Sequence, residues 1–221
     1  MGKFNLRDLH EVSPYLDFPY DPSQVNLQGW GSYHPVFEDT IKQVRPELIV
    51  EVGTWKGTSA INMAEICRKL GVDASIVCVD TWLGSVEHWE NRDDPNGFLS
   101  LKLKNGFPQL YYTFLSNVIS KGVQDIIIPF PVASMVASEW FKRKRVKPDV
   151  IYIDAGHEYE QVLQDIKAWF GTLRVGGVMI GDDYTNLWPG VVQSVDKCAN
   201  ELQGFKFLGN WTEKWIAQKL L

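Results

Sequence analysis

From Glu47 to Lys219 short apolar runs alternate with segments whose apolar residues recur at helical spacing. Leu48–Val52, Ser75–Asp80, Asp125–Val132, Asp149–Asp154 and Val178–Asp183 read as strands, four of them near-continuous in Val, Ile and Leu as buried parallel strands are. Between them, helices are predicted from about Thr58 to Leu70, Leu110 to Ser120, and Ser134 to Lys144. Another carries a stripe at Val162, Ile166, Trp169, Phe170 and Leu173. Gly71 stops the first of these, and Pro189 suits the first turn of a last helix reaching Leu202. Phe205–Leu208 and Lys214–Lys219 follow without a helix between them, so they predict an antiparallel hairpin. Pro129 and Pro131 cannot donate to a ladder, which puts their strand at or near a sheet edge. The pattern is that of an α/β, Rossmann-like, doubly wound sheet of seven strands, mostly parallel.

Residues 1–46 stand outside this rhythm. Turn-rich aromatic pieces (Ser13-Pro14-Tyr15, Phe18-Pro19-Tyr20, Trp30, Tyr33) lead into a short helix pattern at Val36–Ile41. They are read as an N-terminal extension, a lid or an oligomer arm, before a single domain over 47–221; a packed surface extension is the plainer alternative. Residues 84–98 form a long polar loop, a length that in compact domains points to function or disorder.

Composition narrows the classes. A net charge of −5 argues against a dedicated nucleic-acid partner. The basic run Lys142–Arg145 falls where a helix would end, a place that suits cations. No apolar run approaches the roughly 18 residues of a membrane span, and no secretory segment opens the sequence. Three cysteines, Cys67, Cys78 and Cys198, have no metal spacing and read as buried thiols, which suits a reducing cytoplasm.

The chemistry centres on Leu48-Ile-Val-Glu-Val-Gly-Thr-Trp-Lys-Gly-Thr-Ser59, a strand, a glycine turn and a helix start. Gly53 supplies a backbone a ligand can approach, and Thr58 or Ser59 is expected to cap the helix. Asp80, 29 residues after Glu51, ends the second strand, where a carboxylate can take both hydroxyls of a ribose. Asp154, Asp182 and Asp183 end two further strands. If these are neighbours, the carboxylates stand about 5 Å apart and could share one hard divalent ion. The simpler alternative has Asp183 capping a turn and only Asp154 facing the cleft.

Glu51-x-Gly53-x-x-x-Gly57 resembles the first motif of class I S-adenosylmethionine (SAM)-dependent methyltransferases. Ile153-Asp-Ala-Gly-His-Glu-Tyr-Glu160 followed by Gly176-Gly-Val-Met-Ile-Gly-Asp-Asp-Tyr184 is similar to the branch containing the macrolide- and aminocoumarin-sugar O-methyltransferases. The resemblance covers about residues 47–190. It implies a SAM site built from Glu51, Gly53, Thr54, Trp55, Gly57, Thr58, Ser59, Asp80, Thr81, Trp82, Ala133, Ser134 and Asp154. It also implies Mg²⁺ or another divalent cation on Asp154, Asp182 and Asp183. That branch usually has a second Asp where Gly156 stands, so the role of base shifts to His157, with a supporting or structural His as the alternative. The expectation is a Mg²⁺-assisted O-methyltransferase acting on a sugar or other diol-like small molecule, in a homo-oligomeric assembly. The rival readings are a metal-independent methyltransferase, a non-catalytic SAM-fold subunit, and a hydroxylase-like enzyme of the same superfamily.

Overall fold

A computed structural model describes residues 4–221; the first three residues of the predicted extension lie outside the described residues. The order is α1 (Val36–Val44), β1 (Leu48–Val52), α2 (Thr58–Leu70), β2 (Ser75–Val79), α3 (Val86–Glu90), α4 (Leu110–Ser120), β3 (Ile127–Phe130) and α5 (Ser134–Lys144). It continues β4 (Val150–Ile153), α6 (Tyr159–Thr172), β5 (Val178–Gly181), α7 (Pro189–Glu201), β6 (Phe205–Trp211) and β7 (Lys214–Lys219). The sheet runs β3-β2-β1-β4-β5-β7-β6, parallel through β5, with β7 antiparallel to both its neighbours. The predicted doubly wound, seven-stranded fold with its terminal hairpin is what the chain adopts.

Each face of the sheet has its own apolar layer, as parallel strands buried on both sides require. Phe37, Ile61, Met63 and Phe114 of α1, α2 and α4 cover one face. Phe141, Ile166, Trp169 and Val195 of α5, α6 and α7 cover the other. Trp169 is core, and all three cysteines are buried, as expected. Gly181 has a packing reason: a Cβ there would lie 2.1 Å from the Trp215 ring of β7. Among the described residues no helix is long and apolar enough to cross a membrane.

The register decides the site. Val52 pairs with both Val79 and Ile153, and Ile153 pairs with Gly181. The next residues, Gly53, Asp80, Asp154 and Asp182, therefore emerge level with one another at the carboxyl edge. Strand order reverses between β1 and β4, the place where open α/β sheets take ligands.

β3 is an edge strand, as its prolines require. The N-terminal segment covers that edge. The Tyr15 hydroxyl donates to the Ile127 carbonyl at 3.0 Å, and His10 Nε2 meets the Pro129 carbonyl at 2.7 Å. Phe4 stacks on Phe141, and Asn26 exchanges two 2.8 Å hydrogen bonds with Asn117 of α4. Residues 4–46 thus include a strap packed against β3, α4 and α5. The 84–98 loop is partly helical, since it contains α3, whose Ser85 N-cap pairs with His88.

Tyr15→Phe should lower stability by about 1 kcal/mol, the worth of one hydrogen bond. Deletion of residues 1–24 should lower Tm much further in thermal denaturation. An unchanged Tm on deletion would show that the strap is detachable.

Candidate functional site

The glycine turn is fixed by what it touches. Gly53 has φ +82°, and a Cβ there would sit 1.9 Å from the Asp154 carbonyl oxygen. Gly57 has φ +84°, forms the N-cap of α2, and backs onto Phe114. Trp55 also lies in the left-handed region, at φ +52°, a strained place for a bulky residue. Its indole N–H donates to Gln28 Oε1 at 3.2 Å and its backbone N–H to Asp80 at 2.9 Å. The expected side-chain cap of α2 is not made. Gly57 has no side chain to offer, Thr58 Oγ1 donates to the Leu27 carbonyl, and Ser59 Oγ donates to Glu51.

A cavity of about 440 Å³ opens at this edge. Of the predicted cofactor residues, Gly53, Thr54, Trp55, Thr58, Ser59 and Asp154 line it. The others lie behind its walls or away from them. Glu51 is fully buried beneath the turn, bonded to Ser59 Oγ and 3.7 Å from Cys78 Sγ; burial pushes its carboxyl up to about 8. Asp80 accepts the backbone N–H groups of Thr54 (2.8 Å), Trp55 (2.9 Å) and Trp82 (2.7 Å). Burial raises its pKa while those three bonds oppose the rise. In this structure Asp80 ties the glycine turn to the end of β2. Trp82, expected to flank adenosine, is instead core: it packs on Tyr111 and Phe114 and donates to the Trp55 carbonyl at 2.8 Å. Thr81 and Ala133 are exposed and off the cavity wall. The Ser134 hydroxyl is taken up by Asp165 and by the Trp169 N–H, so its side chain has a structural task.

The acidic cluster forms as expected. Asp154, Asp182 and Asp183 each offer one oxygen within 4.8 Å of the others, and all three line the cavity. Two partners were not foreseen. Buried Lys214, at the start of β7, pairs with Asp182 and donates to the Tyr152 hydroxyl at 2.9 Å. Tyr152 lies 2.9 Å from both Asp154 Oδ2 and Asp182 Oδ2. Burial, then the neighbouring Asp182, pushes Asp154 up to about 7. The donor set fits a hard divalent ion. Both Asp182 oxygens already accept hydrogen bonds, but Asp154 and Asp183 each keep one oxygen that takes none from the described residues.

His157 departs from the expected near-neutral base. Its Nε2 meets Asp183 at 2.9 Å, its Nδ1 meets Glu87 at 3.2 Å, and Trp188 stacks on the ring at 3.9 Å. Burial alone would lower its pKa, but the bonds to Asp183 and then Glu87 outweigh it and push the ring up to about 9. As arranged here it is a cation at neutral pH, counterbalancing the cluster.

The opposite wall comes from the strap and the 84–98 segment. His88 stacks on Trp55 at 4.0 Å, and Trp30 packs beside both. His88 Nδ1 accepts the Ser85 N–H at 3.0 Å, which leaves Nε2 as the protonated nitrogen of a neutral ring, and burial lowers its pKa. Buried Lys56 reaches Gln28 Oε1 at 2.7 Å and Ser100 Oγ at 2.8 Å. Sequence reasoning missed Lys56, Tyr152, Lys214, Gln28 and Trp30 as site residues. The available signals were a lysine inside the glycine turn and a lysine opening an otherwise apolar strand.

Residues 50–184 match the family described as a methyltransferase domain. The cofactor-bound crystal structure of Rv0187 from MTB superposes with a TM-score of 0.59 at 14% identity, over 94% of this chain and 85% of that one. The O-methyltransferase from Bacillus cereus, in complex with SAH, gives 0.56 at 16% identity, over 97% and 90%. The O-methyltransferase NovP gives 0.56 at 20% identity, over 83% and 79%. At these identities the likeness is one of fold. An uncharacterized protein of Acanthamoeba polyphaga mimivirus is 31% identical over 61 residues, 27% of this chain, and the match spans 28% of that curated relative's length.

Glu51 makes a testable demand on stability. Its folded pKa of about 8 lies above the ordinary 4.5 of a glutamate, so its favourable contribution is full below about 4.5 and is lost as pH rises to about 8. Glu51→Gln should therefore raise Tm by several degrees at pH 8 and leave it nearly unchanged at pH 4, in parallel thermal melts.

Proposed function

This chain belongs to the methyltransferase-domain family, and from that premise we propose that it is a SAM-dependent methyltransferase that transfers a methyl group to a hydroxyl oxygen of a small molecule with the help of a divalent cation. One observation carries the reading. The glycine turn at the end of β1 and the Asp154, Asp182, Asp183 cluster at the ends of β4 and β5 face the same cavity at the strand-order switch.

In this reading the turn from Gly53 to Ser59 carries the methionine half of the cofactor. Asp80 keeps the turn in place and offers its remaining lone pairs to the ribose. Glu51, Gly57 and Trp82 act from behind the wall by holding the turn, while Thr81, Ala133 and Ser134 would meet the cofactor only beyond the cavity, on its adenosine side. Asp154, Asp182 and Asp183 would hold Mg²⁺ or a similar ion, which supplies positive charge that lowers the pKa of the acceptor hydroxyl. The acceptor oxygen attacks the sulfonium methyl in line: the O–C bond forms, the C–S bond breaks, and the sulfur leaves as a neutral thioether. Positioning of the three atoms is the chain's main contribution.

The hydroxyl proton passes to His157. The ring must enter that step neutral, so its hydrogen bond with Asp183 has to be exchanged for one with the acceptor first. A sugar or another diol-like molecule suits a cavity walled by Trp30, Trp55 and Trp188 and floored by carboxylates. Residues 47–221 would be the catalytic domain, with residues 4–46 completing its cavity. The exposed Val12, Leu16, Tyr20 and Tyr33 of the strap are the surface through which a homo-oligomer would form.

A second reading, methyl transfer without metal, is favoured by one feature: Asp182 is already ion-paired with Lys214.

Calorimetric titration of S-adenosylhomocysteine is expected to show micromolar binding that falls by about tenfold or more in Asp80→Ala, together with a lower Tm, because the turn loses two hydrogen bonds and Trp82 a third. No binding to the wild type would remove the cofactor reading. A separate Mg²⁺ heat should vanish in Asp183→Ala. Catalysis left intact after EDTA would decide for the metal-free version.

A further inference from the structure

Lys214 forms the one lysine or arginine ion pair among the described residues in which both side chains are buried. It opens β7, and Gly181 of β5 pairs with Trp215, so the antiparallel register sets Lys214 directly across from Asp182. Lys214 is 1% exposed; its ammonium pairs with Asp182 Oδ2 and donates to the Tyr152 hydroxyl at 2.9 Å. The Phe37 and Tyr152 rings stand 5.4 and 5.0 Å from Nζ. Gly31 of the N-terminal segment closes another side: a Cβ on it would lie 2.9 Å from Nζ and 3.1 Å from Asp182 Oδ2. Asp182 lines the cavity and Lys214 does not. The ammonium thus sits behind Asp182, shut off from the cavity, and acts on a ligand only through that carboxylate.

Burying both members of a pair is costly, because two charges leave water. What the lysine adds over a neutral donor is charge. Asp154, Asp182 and Asp183 converge within 4.8 Å, and the Tyr152 hydroxyl lies against two of them. Lys214 is the only lysine or arginine paired with any of the three among the described residues. Without a fixed positive charge the three carboxylates repel and the strand ends spread. With it, Asp182 Oδ2 is already taken, and Asp182 Oδ1 accepts the Asp183 N–H at 2.9 Å. An ion entering the cluster must share Asp182 with a charge of its own sign.

We infer that Lys214 is a positioning residue that takes over part of the task of the divalent cation: it keeps the acidic cluster assembled when no ion is bound, and it holds the cluster's affinity for the ion down. The ion then exchanges at the site instead of serving as a fixed part of the fold. The inference rests on the cation reading above.

The probe is Mn²⁺, its free fraction read by electron paramagnetic resonance, on the full-length wild type and Lys214→Met. Lys214→Met should bind Mn²⁺ at least about tenfold more tightly than wild type. It should also melt lower than wild type without the ion and gain more Tm when the ion is added. A lysine with a purely structural task would leave, on removal, a loosened cluster that binds Mn²⁺ less well. A smaller gain than tenfold, or a loss, overturns the inference. The cation reading fails separately, when wild type binds no Mn²⁺. In that case a Lys214→Met that acquires Mn²⁺ binding still supports the role given to Lys214, and one that does not overturns it. Should Lys214→Met fail to fold with or without the ion, the double variant Lys214→Met/Asp182→Asn leaves neither charge of the pair buried alone. It should hold Mn²⁺ within about threefold of wild type if the two charges cancel. A greater loss would show Asp182 acting as an uncompensated ligand and would overturn the inference.

Discussion

A single close approach holds the site together: the α-carbon of Gly53 lies against the backbone carbonyl of Asp154, where no side chain fits. That contact exists because β1 pairs in parallel with β4, and the pairing brings their carboxyl ends level. The turn after β1 can then cross the end of β4 only with a glycine at positive φ. Asp80, level with Gly53 on the other side, closes the arrangement by accepting two N–H groups of the same turn. Cavity, acidic cluster and the start of α2 all take their places from this one crossing.

The charge arrangement around the crossing follows from burial. Glu51, Asp154 and Asp182 stand together at the ends of buried strands, and without compensation each would resist ionising. The chain compensates unevenly. Asp182 receives Lys214, Asp183 receives His157, and Glu51 receives no cation among the described residues, its nearest donor being Ser59, so burial holds its carboxyl far above the ordinary range. Lys56 is the reverse case, a buried cation among neutral oxygens.

The strap explains how so aromatic an N-terminal segment is accommodated. β3 is a short edge strand carrying Pro129, with Pro131 just beyond it, so its outer carbonyls have no strand to meet. Tyr15 and His10 satisfy two of them, and the segment then runs on to set Gln28 between Trp55 and Lys56. Edge protection and cavity wall are thus one continuous piece of chain.

The sequence by itself determined the fold and the positions of the strand-end chemistry. Apolar runs of strand length between helix-period stripes specify a parallel sheet, and residues that end such runs must meet at its carboxyl edge. Gly53, Asp80, Asp154, Asp182 and Asp183 were legible for that reason. The prolines of β3 placed it at an edge because a missing N–H is a local fact. What a side chain does after leaving the backbone was decided only in three dimensions. Trp82 and Ser134 look available along the chain, but packing turns one into core and gives the other to Asp165 and Trp169. His157 reads along the chain as an unpartnered imidazole; only the fold sets Glu87, 70 residues away, against one nitrogen and Asp183 against the other. Lys56 and Lys214 are ordinary lysines in the sequence; burial, which depends on partners distant along the chain, is what makes them part of the site.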